Sequence, residues 1–170
     1  MITVTSIDRL DAELLIALSH DPRAGTSELA AKLGVARNTV QARYQRLAES
    51  GILAGFSARV DLERLGLPVT AFLHLQLAQG ALQEVTDGLG RLSHVLEVCT
   101  TTGTSDVMAR VACRSHAELQ SLIQEVLTIR GVVRSTTEIA LTTPVQYRLG
   151  PLLETLTSDQ GRGRSGDRRR

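Results

Sequence analysis

Residues 26–46 read TSELAAKLGVARNTVQARYQR, the pattern of two short helices hinged at a glycine. Ala30, Gly34 and Val40 stand at the spacing of a helix-turn-helix. A small residue lets the helices cross closely, a glycine supplies the positive φ of the tight turn, and a branched apolar residue plugs the core. The second helix then offers Asn38, Thr39, Gln41, Arg43 and Arg46 outward, side chains of the kinds that hydrogen-bond base edges and phosphates. The stretch points to a DNA-binding regulator.

Working outward, Asp8 is placed to cap a first helix over about 9–20, with Ile7, Leu10, Leu14, Leu15 and Leu18 on one side. Pro22 ends it, because proline disfavours helix in the residue before it. Ser27 opens the second helix, which buries Leu29, Ala30 and Leu33, and the third runs from about Asn38 to Ser50 and buries Val40, Tyr44 and Leu47. Gly51 stops the third as a C-cap would. Ile52–Val60 reads as a β-wing, so the expected first domain is a winged helix-turn-helix over residues 6–60.

DLERLGLP at 61–68 is a charged connector with glycine and proline, and the periodicity changes after it. Val69–Leu77 alternates apolar and polar residues as a half-buried strand does. Residues 81–92 are helical in spacing, Val95–Thr101 and Val107–Cys113 are strand-like, 116–129 is an amphipathic helix, and Val132–Leu141 closes as a strand. The order βαββαβ predicts a ferredoxin-like α+β domain over 69–148 with both helices on one sheet face. Its second face is partly apolar, which implies pairing with another copy: a homodimer or a higher even-numbered homo-oligomer.

From Ser158 onward five arginines stand against two acids in a Gly/Ser/Arg-rich stretch, expected to form a disordered tail over 158–170. Such a tail either adds non-specific attraction to DNA or has no role.

Composition narrows the class. The chain of 170 residues is 42% hydrophobic with two Phe, two Tyr and no Trp, so its cores must be built from Leu, Val, Ile and Ala. No apolar run approaches the ~20 residues of a membrane span, and Met1–Ser6 has no signal-peptide character, so a cytoplasmic protein is expected. Cys99 and Cys113 lie in strand-like stretches and read as reduced, buried thiols. The four histidines share no metal-ligand spacing, and no zinc site or other cofactor is expected. The catalytic signatures GxSxG and HExxH, the P-loop and the Rossmann glycine pattern are all missing, so an enzyme is not expected. The net charge is only +1, but Arg37, Arg43 and Arg46 meet no acid until Glu49, a local positive face of the kind DNA affinity needs. On this helix, Gln41 and Arg43 are assigned to bases and Arg37 and Arg46 to phosphates, with Arg59 on the wing a weaker phosphate candidate.

Ile7-Asp8-Arg9-Leu10-Asp11, then DPRAGTSELAAKLGVARNTVQARYQRLAESGILAGFSA, then Thr102-Gly103-Thr104-Ser105-Asp106 between two strands occur in this order. In these features the chain resembles the Lrp/AsnC family of feast/famine regulators over about residues 6–148. One departure stands out: many members have Ser where this chain has Ala36, just before the recognition helix. The resemblance implies a sequence-specific transcriptional regulator that responds to an amino acid bound near the 102–106 turn. Thr102, Gly103, Ser105 and Asp106 are the implied effector residues, with Thr136 and Glu138 as further neighbours. Gly103 is read independently as a hairpin-turn residue needing positive φ. The alternative is an architectural DNA-binding protein with no effector. A metabolite-sensing module with a vestigial DNA-binding domain is disfavoured by the intact polar face of the third helix.

Overall fold

A computed structural model describes residues 6–162. The chain forms two compact units: residues up to Ala58 together with those from Gln146 onward, and Arg59–Val145.

The first unit is helical: α1 (Arg9–His20), α2 (Thr26–Leu33) and α3 (Arg37–Glu49) pack around Leu10, Leu14, Ala17, Leu18, Leu29, Ala30, Leu33, Val40 and Leu47. Asp8 caps α1 by accepting from the Asp11 amide at 3.0 Å, while the Asp11 carboxylate accepts from the Asp8 amide at 2.9 Å, a reciprocal capping box. Gly34 adopts φ +66° and ends α2, the left-handed turn that the helix-turn-helix spacing required. After α3 the expected β-wing is not formed. Ile52–Val60 contains no strand, because its backbone finds no neighbouring strand in the chain to hydrogen-bond and an isolated strand is not stable in water. The first domain is therefore a helix-turn-helix without a wing.

The second unit is a four-stranded antiparallel sheet of β1 (Val69–Leu77), β2 (Val95–Thr100), β3 (Val107–Cys113) and β4 (Val132–Ala140), in the order β2-β3-β1-β4. Helices α4 (Leu82–Gly90) and α5 (His116–Thr128) cover one face, burying Val85, Leu89, Leu119, Leu122 and Val126 against Ala71, Leu73, Leu75, Val107, Ala109 and Val111. This is the ferredoxin-like βαββαβ arrangement. Among the described residues no helix is long and apolar enough to cross a membrane.

One element lies outside the sequence-based expectation. The chain after β4 forms α6 (Gly150–Leu156), which packs on α1 in the first unit. The tail expected to start at Ser158 is instead attached as far as Arg162, whose guanidinium donates to the Leu33 carbonyl at 3.2 Å and to Glu13. The expectation for 163–170 falls outside the described residues.

Candidate nucleic-acid interface and effector turn

Helix α3 carries two faces of different character. Val40 and Leu47 are buried, and Tyr44 packs beside them, which anchors the helix to the core. Arg37, Asn38, Gln41, Ala42 and Gln45 are exposed, and 38, 41, 42 and 45 recur at the spacing of one helical face. Thr39 is half-buried at the edge of this face. Gln41 accepts from the Thr26 hydroxyl at 3.3 Å, and Gln45 donates to Glu49 at 3.1 Å, so both amides are held near the surface by single bonds. Gln45 is absent from the sequence-based site, although its spacing from Asn38 and Gln41 sets all three amides on one helical face.

The helix begins at Arg37, one residue earlier than expected, with Ala36 at the cap and no side-chain acceptor for the first amides. An uncapped helix N-terminus leaves backbone N–H groups and the positive end of the helix dipole free for an anion.

Arg43, assigned to a base from its place on the helix, is not turned outward: its side chain is only 11% exposed and its guanidinium is bound to Asp8 and, at 2.9 Å, to Asp11. Arg46, expected on a phosphate, also donates to Asp11, although it is 46% exposed. The physical reason is Asp11, whose side chain has no solvent exposure: a buried carboxylate must be paired. Burial by itself would push the Asp11 carboxyl up; the hydrogen bonds from Arg46, from the Asp8 backbone and from Arg43 outweigh it and hold it below the usual carboxylate range. The same network, against the effect of burial, raises Arg43 further. Arg43 and Arg46 therefore fix α3 to α1. Arg59 is exposed in the segment without a strand.

In the second unit the turn between β2 and β3 is braced to the end of β1. The Asp106 carboxylate accepts from the Leu77 amide at 2.8 Å and the Asp106 amide donates to the Leu75 carbonyl at 2.9 Å. Gln76 donates to the Thr104 carbonyl at 2.7 Å, and the Thr101 hydroxyl donates to the Ser105 carbonyl at 2.8 Å. Gly103 has φ +114°, with nothing within 4 Å of where a Cβ would stand, so backbone conformation alone demands glycine there.

Two clefts flank this brace. One of about 300 Å³ is lined by Leu77, Gly80, Leu82, Thr100, Thr101 and Asp106 among others. The other, of about 430 Å³, is lined by His74, Gln76, Thr104, Ser105, Arg134, Thr136 and Glu138. The structure thus sets Asp106 and Ser105 at separate clefts, and leaves Thr102 and Gly103 exposed at the tip of the turn. His74 lies 3.6 Å from Glu138 across the β1–β4 pair. Arg134 was not singled out in the sequence; its register opposite Gln76 becomes visible only when β4 is paired with β1.

The comparisons agree with this architecture. The AsnC-type helix-turn-helix domain matches residues 7–48, and the Lrp/AsnC ligand binding domain matches residues 70–149. The HTH-type transcriptional regulator FL11 of Pyrococcus horikoshii is 30% identical over 137 residues, which is 81% of this chain and 91% of that protein. FL11 of Pyrococcus abyssi is 31% identical over 138 residues, with the same two shares of 81% and 91%. The structure of AsnC from E. coli superposes with a TM-score of 0.79 at 31% identity, covering 86% of this chain and 100% of that one.

Proposed function

From the premise that the chain belongs to the Lrp/AsnC family of transcriptional regulators, we propose that it binds double-stranded DNA through the exposed face of α3 and that an amino acid held beside the 102–106 turn modulates that binding. The observation that carries the DNA reading is the division of α3 into a buried, ion-paired side and a free side bearing Asn38, Gln41 and Gln45. Side-chain amides of this kind bond adenine N6 and N7 in the major groove, each good bidentate pair contributing about 1–3 kcal/mol of discrimination. Arg37 and the uncapped amides after Ala36 suit a phosphate at the groove edge. Thr39 borders this face, half-buried, and Arg46 retains enough exposure to approach a phosphate while holding Asp11.

For the effector, the cleft beside Thr104 and Ser105 offers a guanidinium from Arg134 and a carboxylate from Glu138, complementary to the two charges of a free amino acid. Asp106 then acts as the brace that shapes the turn rather than as a ligand for the ammonium group.

Two copies pair over the uncovered sheet face, where Phe72, Met108 and Cys99 are half-buried and the Arg110 Nε is buried without an acceptor among the described residues. A twofold pair presents two α3 helices to half-sites ~34–36 Å apart, or a multiple of that distance. An effector that favours one assembly over another shifts this spacing, which is the coupling a ligand-gated regulator needs.

The experiment is a gel-shift titration on DNA from upstream of the protein's own gene with each of the twenty amino acids added in turn. A shift altered by one or two of them supports the reading. A shift indifferent to all of them removes the effector part and leaves an architectural DNA-binding protein.

A further inference from the structure

The helix-turn-helix unit is not contiguous in the chain: residues up to Ala58 are joined by those from Gln146 onward. Residues 150–162 of the added part lie past both stretches that match the family domains, 7–48 and 70–149. There α6 packs on α1, and Thr157 behind it is buried, its hydroxyl donating to the Leu153 carbonyl at 2.9 Å. Yet α6 has no fully buried residue of its own and leaves a cleft of about 330 Å³ against Arg9, Glu13 and Ile16 of α1. A seven-residue helix packed this lightly does not hold itself in place.

The fastening is Arg162. Its Nε donates to Glu13 Oε1 at 3.2 Å and its Nη2 stands 2.6 Å from Oε2, a two-pronged match of guanidinium to carboxylate. Its Nη1 donates to the Leu33 carbonyl at 3.2 Å. Leu33 is the last residue of α2, where carbonyls lack helical partners and carry the negative pole of the dipole. One side chain thus ties α1 to the end of α2. Both anchor points bear on α3. Glu13 is two residues along α1 from Asp11, which holds Arg43 and Arg46 of α3. Leu33 adjoins Gly34, whose φ of +66° sets the turn that leads into α3 at Arg37.

We propose that α6 and Arg162 form a clasp that sets the pose of α3, with Arg162 a positioning residue for base recognition and not a contact to DNA. Its guanidinium is spent on Glu13 and Leu33, so its effect on bases passes through α1 and the turn after α2. The inference rests on the assignment of α3 to DNA.

The test compares the full-length wild type with Arg162→Gln, Arg162→Lys and Leu153→Ala. Arg162→Gln is expected to fold, because Glu13 keeps Arg9 at 3.2 Å. Each protein is measured by backbone amide exchange, and by its affinity for the own-gene duplex and a scrambled duplex across a salt series. In Arg162→Gln the amides of residues 30–37 are expected to exchange severalfold faster, while those of β1–β4 do not change. Preference for the own-gene duplex is expected to fall roughly threefold to tenfold, with scrambled-duplex affinity and salt slope as in the wild type. Lysine keeps the charge but not the fork, and is expected to restore part of the preference. Leu153→Ala loosens α6 and is expected to repeat the pattern of Arg162→Gln. A salt slope shallower by about 0.9, with both duplexes weakened alike, would make Arg162 a phosphate contact and overturn the proposal. A lower unfolding temperature with undiminished preference in the folded fraction would overturn the positioning role, leaving Arg162 a brace for stability alone. Unaltered exchange over 30–37 would overturn the clasp whatever happens on DNA. If the wild type itself shows no preference between the duplexes, the α3 reading falls and takes the base-recognition role with it, while the exchange result still decides whether the clasp exists.

Discussion

The carboxylate of Asp11, fully buried at the first turn of α1, accepts a hydrogen bond from the guanidinium of Arg43 at 2.9 Å. This pair joins the scaffold helix to the recognition helix, and with Arg46 on the other carboxylate oxygen it fixes the angle at which α3 is presented. Its consequence is that Arg43 is turned toward α1 rather than toward the free face of α3.

Removing one partner of a buried pair leaves the other charge uncompensated, which costs about 3–5 kcal/mol. Asp11→Ala is therefore expected to lower the unfolding temperature of the helical unit by well over ten degrees, read by circular dichroism of the full chain. A change of only a degree or two would mean that the Asp11–Arg43 contact does not hold α3.

The salt dependence of DNA binding separates the two kinds of arginine on α3. Arg37→Ala removes a phosphate contact and is expected to reduce the salt slope by about 0.9. Arg43→Ala is expected to leave the slope of the folded fraction as it was while lowering stability. A slope change for Arg43 equal to that for Arg37 would place Arg43 on a phosphate after all.

The response to acid comes from two lowered carboxyl groups. Asp11 is held down by its arginines and the Asp8 amide against the effect of burial. Glu118 is held at about 2 by hydrogen bonds from the Arg114 side chain and backbone. Carboxylates lowered in the folded state stabilise it above their unfolded pKa, and that stability is lost as pH falls through the folded value. For Glu118 the window runs from about 4.5 down to about 2, and Asp11 loses its share below about 3.8. Unfolding temperature measured from pH 7 to pH 2 is expected to be flat to about pH 5 and then to fall; a fall already under way between pH 7 and 5 would point to other groups.

Asp106→Ala removes the acceptor for the Leu77 amide and loosens the turn against β1, at about 0.5–1.5 kcal/mol for one exposed hydrogen bond. DNA affinity is expected to persist and the amino-acid response to be lost. Glu138→Gln keeps the turn intact and is expected to weaken the response by removing one charge from the cleft. If Asp106→Ala responds as the wild type does, the turn plays no part in effector binding.

Much of the fold is legible in the chain because periodicity reports which face is buried. The helix over 9–20 and the strands over 69–77 and 107–113 can be read from the chain, since apolar residues recur along their inner faces at the helical or strand period. The wing fails for the opposite reason: the residues of 52–60 do not tell whether a neighbouring strand exists to pair with them. Arg43 misleads because it borders the buried stripe of Val40, Tyr44 and Leu47, and the acids that draw it inward lie 32 and 35 residues away. Helix α6 does carry a signal in the sequence: Pro151 at a helix start, with Leu152, Leu153 and Leu156 at helical spacing after it.

The central claim is that the free face of α3 reads bases. The most direct measurement is the ratio of affinities for the own-gene duplex and a scrambled duplex, in the wild type and in Asn38→Ala/Gln41→Ala. The account predicts that the double variant binds the scrambled duplex as well as the wild type does but loses tenfold or more of its preference. An undiminished preference in a folded double variant would contradict the assignment of this face to base recognition.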